Sequence, residues 1–225
     1  MELSELEVRK MNSSKGRDFI LEHHYSGSCH GGPMCWGLFE PIDEEDTRGK
    51  EHDERLVGVC AFATPISENV RRSIWRDDVA EEMKNHVTEL HRLVTLDECP
   101  KNTETWFISR ALKGLKEYKE KYKAVISFAD STEGHAGTIY QASNAIYYGM
   151  TGENTFYRDS SGNLRAPRQN GVNISKEDAK ERGWTPEKRK AKHRYLFLLP
   201  DSYESKDDIR ELLDVPEQEY PEALQ

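Results

Sequence analysis

The sequence predicts an α/β (α+β) chain, a central sheet flanked by helices. Three observations carry that expectation. A continuous apolar run, Ala124 to Ala129, stops at one carboxylate, Asp130, and passes into a loop with Gly134, His135 and Gly137. A long amphipathic segment, with Phe107, Ala111, Leu115, Tyr118 and Tyr122 at three- and four-residue steps, feeds straight into that run. Around them, helical periodicity alternates with short apolar runs in the order helix, two strands, strand, long helix, strand, helix. A buried strand ending in an acid and a glycine loop frames many α/β sites, because ligands collect at the carboxyl ends of strands.

The elements follow in order. Phe19, Ile20 and His23 have helical spacing between Gly16 and His24, and the Gly- and Ser-rich stretch from Tyr25 to Pro33 reads as a loop. Cys35 to Phe39 and Leu56 to Ala63 read as two strands of a hairpin, joined by a strongly acidic connector, Ile42 to Arg55. Val70 to Trp75 and Val79 to Lys84 are short and favour helix. Glu89 to Leu96 alternates as a strand and is punctuated by Pro100. Asn102 or Thr103 can cap the long helix, and Glu104 in its first turn suits the helix dipole. That helix is expected to end near Lys123. A further helix begun near Gly137 carries the tyrosines, and Arg194 to Leu199 closes the chain with one more apolar strand. The expected organisation is one domain over residues 1–200, with a basic insertion near 152–194 and an acidic tail over 201–225.

Composition narrows the function. The chain has 225 residues, 36% apolar and 32% charged, enough for a core. It shows neither an 18-residue apolar run nor the apolar core of a secretory signal, so a cytoplasmic protein with no membrane partner is expected. Its four cysteines form no CxxC pair, which removes a zinc ribbon and a redox motif. His23, His24, Cys29, His30 and Cys35 cluster loosely, but their spacing fits no standard metal site, so no metal is assigned. The net charge of −9 opposes nucleic-acid binding taken alone, yet it is unevenly spread. Residues 158–194 hold eleven bases against five acids, and 201–225 hold nine acids against two bases. The first stretch can meet phosphates, and the second reads as solvated.

Five segments carry a family resemblance: HHYSG at His23 to Gly27, ELHRLV at Glu89 to Val94, NTETWFISRALKGL at Asn102 to Leu115, SFADSTEGHAGTIYQASNAIYYGMT at Ser127 to Thr151, and KHRYLFLL at Lys192 to Leu199. Through them the chain resembles the Gcn5-related N-acetyltransferase (GNAT) superfamily and, more narrowly, the phage Mom proteins. The resemblance implies a mixed, mostly antiparallel GNAT-like sheet. It implies a transferase that adds a carbamoylmethyl, glycinamide-like group to the N6 amine of adenine in double-stranded phage DNA, protecting it from host restriction. Ordinary GNAT enzymes hold acetyl-CoA by a glycine-rich turn before the long helix. Here that turn reads DECPKNTETW and has no glycine, so the donor is acetyl-CoA or another group donor.

The candidate catalytic residues are Asp130, Tyr140, Arg92 and Ser109. Asp130 acts as a general base with a raised pKa, orients N6, or caps the next helix; the residues alone leave these open. Tyr140, in the first turn after Gly137, faces back to the strand end, and the resemblance makes it a proton donor. Arg92 is a charge in an apolar strand, paired with Asp130, bound to a phosphate, or on an exposed face. Ser109 shares a helix face with Thr105. Asn102, Thr103, Thr105 and Asn144 are the expected donor contacts, helped by the amides at the helix N-terminus. His23, Tyr25 and His135 line the expected substrate pocket, which receives an extruded base. Arg165, Arg168, Lys188, Arg189, Lys190, Lys192 and Arg194 are the expected DNA contacts, and Tyr157 and Trp184 lie among them as stacking faces. Two other readings stand beside this one: a conventional N-acetyltransferase acting on a small molecule or protein amine, and a non-catalytic DNA-binding protein.

Overall fold

The computed structural model describes residues 1–42, 54–169 and 172–222, with the side chains of Arg168 and Gln169 left out. Most of the acidic connector lies outside the described residues.

A seven-stranded sheet forms the centre. It opens with β1 (Glu7–Met11), α1 (Ser13–His23) and the hairpin β2 (Met34–Pro41) and β3 (Glu54–Ala63). Two short helices, α2 (Glu68–Arg72) and α3 (Ala80–Met83), lead to β4 (Val87–Thr95). The long helix α4 (Thr103–Tyr118) precedes β5 (Ala124–Asp130), and α5 (Thr138–Ala142) precedes β6 (Ile146–Met150). Then comes a polar stretch: β7 (Asn154–Arg158), β8 (Leu164–Arg165), β9 (Arg168–Gln169), β10 (Val172–Asn173), α6 (Lys176–Glu181) and β11 (Thr185–Arg189). The chain returns to the sheet as β12 (Lys192–Leu198) and ends with α7 (Lys206–Arg210). The spatial order is β1-β2-β3-β4-β5-β12-β6, and every pairing but one is antiparallel. This is the mixed, mostly antiparallel sheet flanked by helices that the sequence predicts.

The exception positions the site. β4 and β5 pair in parallel, as two strands joined by a crossover helix must. Their register runs only from Val87–Ala124 to Leu90–Ser127. Beyond it β4 continues to Thr95 and β5 to Asp130 without pairing to each other, so the two strands part there. On its other edge β4 carries a bulge: Arg92 faces Ala61 and Leu90 faces Phe62, leaving His91 as the extra residue.

Apolar cores fill both faces of the sheet. On one face α4 buries Phe107, Ile108, Ala111 and Leu115 against Trp36, Leu38, Phe62 and Val125. On the other, Ile74, Trp75 and Ile209 cover Ala124, Ile126 and Leu196, while Ile20 of α1 covers Val59 and Ala61. Tyr147 and Tyr148 are both buried, one toward each core.

Three expectations change. Helix α4 stops at Tyr118 rather than near Lys123, because the backbone leaves the helical region at Lys119; a turn holding buried Tyr122 precedes β5. Its start uses no side-chain cap: Asn102 supplies a left-handed backbone (φ 70°), and the Thr103 hydroxyl donates instead to the Pro100 carbonyl at 2.6 Å. The acidic C-terminal segment is a strap rather than a solvated tail. Leu213 bridges Trp75, the Gln218 amide donates to the Tyr147 carbonyl, and the Tyr220 hydroxyl donates to Ala145.

Candidate functional site

Where β4 and β5 part, a cleft of about 840 Å³ opens. Its walls bring together Asp130, Tyr140, Arg92, His23, Tyr25, His135, Arg189, Lys190 and Lys192 from the sequence-derived candidates. They arrive from four separate stretches of the chain, and the splayed strands are what join them.

Asp130 ends β5 and is 6% exposed. One oxygen accepts from the Thr132 amide at 3.0 Å, capping the short turn after it. The other meets Arg189 at 3.0 Å and Lys192 at 3.0 Å. Burial alone pushes the carboxyl pKa up, but Lys192, Arg189 and the Thr132 amide together outweigh it and hold the group at about 2. The raised pKa expected of a general base is therefore corrected. At neutral pH Asp130 is a fixed anion that accepts hydrogen bonds and resists protonation. The expected cap is realised at this short turn, and the same carboxylate lines the cleft.

Tyr140 follows Gly137, whose φ of 81° turns the chain into α5. Its ring packs on Tyr195 (5.3 Å between centroids) and Phe197 (6.2 Å). Burial pushes its hydroxyl up to about 12, with Ser127 pulling the other way. The phenol therefore stays protonated at neutral pH and keeps an O–H that can donate a hydrogen bond.

Arg92 does not reach Asp130. Its Nε donates to the Ser28 carbonyl at 2.9 Å and its Nη2 to the Ser28 hydroxyl at 3.1 Å. It thereby ties the loop carrying Tyr25 to β4. Tyr25 is 61% exposed, with its ring 4.3 Å from His24 and 5.4 Å from His135. Burial, helped by the nearby Arg92 charge, holds the His24 pKa at about 4, so its imidazole is neutral at pH 7. His30 and His91 stack at 5.4 Å behind this loop. Among the described residues no group of three His, Cys, Asp or Glu is arranged to hold a metal.

Several candidates fall elsewhere. Ser109 is exposed on α4 and does not line the cleft. Asn144 takes a left-handed turn (φ 58°) and is exposed, so its position answers to backbone geometry. Thr103 is fully buried with its hydroxyl engaged. Asn102 and Thr105 also lie outside the cleft, and the α4 residue that lines it is Glu104.

Four of the eleven bases in the basic stretch, Arg158, Arg165, Arg189 and Lys192, pair with carboxylates among the described residues. Arg158 pairs with Glu187, Arg165 with Asp159, and Arg189 with Asp130 and Glu133. Arg194 lies over the Tyr148 ring and donates to the Tyr148 carbonyl. Tyr157 is buried beside Trp184, so it is not a free stacking face. Lys188 is exposed, and Arg168 belongs to β9. Lys190 is exposed on the cleft rim and has no carboxylate partner among the described residues.

Among the cleft residues that sequence reasoning missed are Asn154 and Phe156 on β7. β7 pairs with β11 in a ribbon whose register sets Asn154 opposite Arg189 and Phe156 opposite Glu187. The ribbon is fastened to the loop after Asp130: the Lys190 amide donates to the Thr132 hydroxyl at 3.0 Å, and the Ser131 hydroxyl donates to the Ala191 carbonyl.

A sheet parted at one parallel pair, with an anion and a phenol at the opening, suits a group-transfer enzyme. The chain belongs to the Mom protein family, whose model matches residues 5–222. The methylcarbamoylase Mom of Escherichia phage Mu is 32% identical over 154 residues, 68% of this chain and 57% of that protein. The chain thus spans little more than half the length of that relative. Among solved structures it is similar to an N-acetyltransferase from Staphylococcus aureus Mu50 (TM-score 0.44, 10% identity, 87% of this chain and 99% of that one). It is also similar to yncA from Salmonella typhimurium, solved with acetyl-CoA (0.45, 8%, 88% and 95%), and to a GNAT-family acetyltransferase from Streptococcus pneumoniae (0.42, 8%, 87% and 100%). Likenesses this distant carry nothing about the substrate.

Proposed function

We propose that this protein is a DNA-modifying transferase of Mom type, which places a carbamoylmethyl, glycinamide-like group on the N6 amine of adenine in double-stranded phage DNA. Its setting is the host cytoplasm and its effect is protection from host restriction. The observation that carries this reading is the meeting of Asp130 and Tyr140 in one cleft, in a chain matched by the Mom family over nearly its whole length.

The adenine N6 lone pair is delocalised into the ring, and the amine is buried in the duplex. The base must leave the stack and enter a pocket with aromatic walls. Tyr25 and His135 supply such walls at the cleft mouth. Asp130, fixed as an anion, accepts a hydrogen bond from N6–H and stabilises positive charge that grows on nitrogen during attack. As the bond from N6 to the transferred carbon forms and the bond from that carbon to the leaving group breaks, Tyr140 gives its phenolic proton to the departing group and regains one from the proton that N6 releases. Lys190 meets backbone phosphate at the rim. Arg92 acts by holding the Tyr25 loop in place.

Acetyl-CoA, the donor that the GNAT resemblance implies, does not fit the residues where its pyrophosphate would sit. The turn before α4 has no glycine, the Thr103 hydroxyl is taken by Pro100, and the Glu104 carboxylate stands in the first turn facing the cleft. A second negative charge there repels a diphosphate.

The test is nucleoside mass spectrometry of DNA from bacteria expressing the chain. A heavier adenosine is expected with the unaltered protein and none with Asp130→Asn. Unmodified DNA beside abundant folded protein overturns the reading.

A further inference from the structure

The β7–β11 ribbon forms one wall of the cleft, and the reaction outlined above gives it no task. Side chains alternate across a strand, so Asn154, Phe156 and Arg158 share one face of β7, and Glu187 and Arg189 share the matching face of β11. The Arg158–Glu187 pair confirms that phase. Thr155, Tyr157 and Lys188 take the other face, where Tyr157 packs on Trp184. The cleft wall is therefore the Asn154–Phe156 face.

Two details make this wall suitable for a base. Phe156 is a half-buried ring with a side open to the cleft. Asn154 is exposed; one amide N–H donates to the Gly152 carbonyl at 3.3 Å, and the rest of the carboxamide has no partner among the described residues. The wall is also fixed relative to Asp130. Arg189, directly across from Asn154, holds Asp130 at 3.0 Å and Glu133 at 2.9 Å and is mostly enclosed.

We infer that Phe156 and Asn154 form the purine-recognition wall of this cleft: Phe156 stacks on the extruded base and the Asn154 carboxamide reads its edge as adenine. The inference rests on the transferase reading above. A carboxamide offers one acceptor beside one donor. Adenine offers the complement, the N6–H donor beside a ring-nitrogen acceptor, and the pairing of Asn with adenine is a recurrent one. Guanine presents O6 where adenine presents N6–H, so the same carboxamide meets it acceptor to acceptor. With Asn154 accepting one N6 hydrogen and Asp130 the other, both protons of the amine are accounted for, and N6 is turned toward the centre of the cleft. Arg189 is the positioning residue that sets the distance between the two.

Two measurements on the full chain test this. In the first, binding to single-stranded oligo(dA), oligo(dG) and oligo(dT) is compared at one salt concentration. The unaltered protein is expected to prefer oligo(dA). Asn154→Ala should reduce oligo(dA) affinity by about 10- to 100-fold and remove the preference. Phe156→Ala should weaken binding to all bases by about 10-fold or more, with Phe156→Tyr restoring it. Lys190→Ala should weaken all three oligonucleotides alike and keep the preference. In the second, modified adenosine is measured in DNA from cells expressing each variant, with thermal unfolding as the folding control. If the unaltered chain modifies DNA while Asn154→Ala keeps both its oligo(dA) preference and its product yield, the inference is overturned and the transferase reading stands. If the unaltered chain makes no modified adenosine, the transferase reading falls and takes this inference with it.

Discussion

Asp130 is a carboxylate bonded from three directions, and its acid behaviour follows. Its folded pKa of about 2 lies below the value of about 3.9 for an unfolded aspartate. The unfolded chain therefore binds the extra proton between those values. The stabilisation is complete above about pH 4 and is lost as pH falls toward 2. Asp130→Asn should flatten the fall in stability over that window, measured by urea unfolding at stepped pH, and should cut modification by about 100-fold or more. His24 has the same sign at a higher window. Its folded pKa of about 4 lies below the ordinary imidazole value of about 6.5, so stability drains as pH falls between them. His24→Gln should remove that slope. The sequence made Asp130, Tyr25 and His135 legible because each stands at a strand end or loop, and Tyr140 because it follows the Gly137 turn into α5. It marked Arg189 as a DNA contact and concealed its partner, because Asp130 lies 59 residues away in the chain. It also concealed Asn154 and Phe156, whose strand is too polar to register as an apolar run. The alternation Asn154, Phe156, Arg158 was the available signal.

The elements succeed where periodicity is strong. Phe107, Ala111 and Leu115 all face the core as their spacing requires, and the stretch at Cys35 to Phe39 pairs with that at Leu56 to Ala63 as expected. The end of α4 was misread because Tyr118 and Tyr122 continue the spacing while Tyr118 is exposed and Tyr122 sits in a turn. Apolar spacing reports which residues are buried and not which backbone carries them. Helix α4 approaches β2 so closely that a Cβ on Gly114 would enter the Trp36 indole. Gly114→Ala, which favours an isolated helix, should here destabilise the protein by about 1–3 kcal/mol in chemical denaturation. Gly137 combines a positive φ with contact against the fully buried Tyr195 ring. Gly137→Ala should cost about 2–4 kcal/mol, joining backbone strain to overpacking, and should displace Tyr140.

At the scale of the molecule, the acidic C-terminal segment is a closing strap. Acidity suggested solvation, but Ile209 is fully buried against Ile74 and Trp75, and the charged residues beside it face water. One apolar residue in a charged heptamer was too weak a signal to set against nine acids. Ile209→Ala should cost about 2–5 kcal/mol and lower the thermal midpoint. Activity per folded molecule should be unchanged, since Ile209 packs in the core with Ile74 and Trp75 and does not line the cleft.

The place of β12 has a consequence for how the protein is made. It lies between β5 and β6, yet it is translated after both and after the whole ribbon. While the ribbon is being synthesised, β5 and β6 each stand with the backbone edge that β12 will pair, and Ala124, Ile126 and Ile146 lack the cover of Leu196, Leu198 and Ile209. A nascent chain halted before Leu198 exposes two strand edges ready for intermolecular pairing. Slow decoding between residues 151 and 191 should therefore raise the aggregated fraction, and rapid decoding of that stretch should lower it.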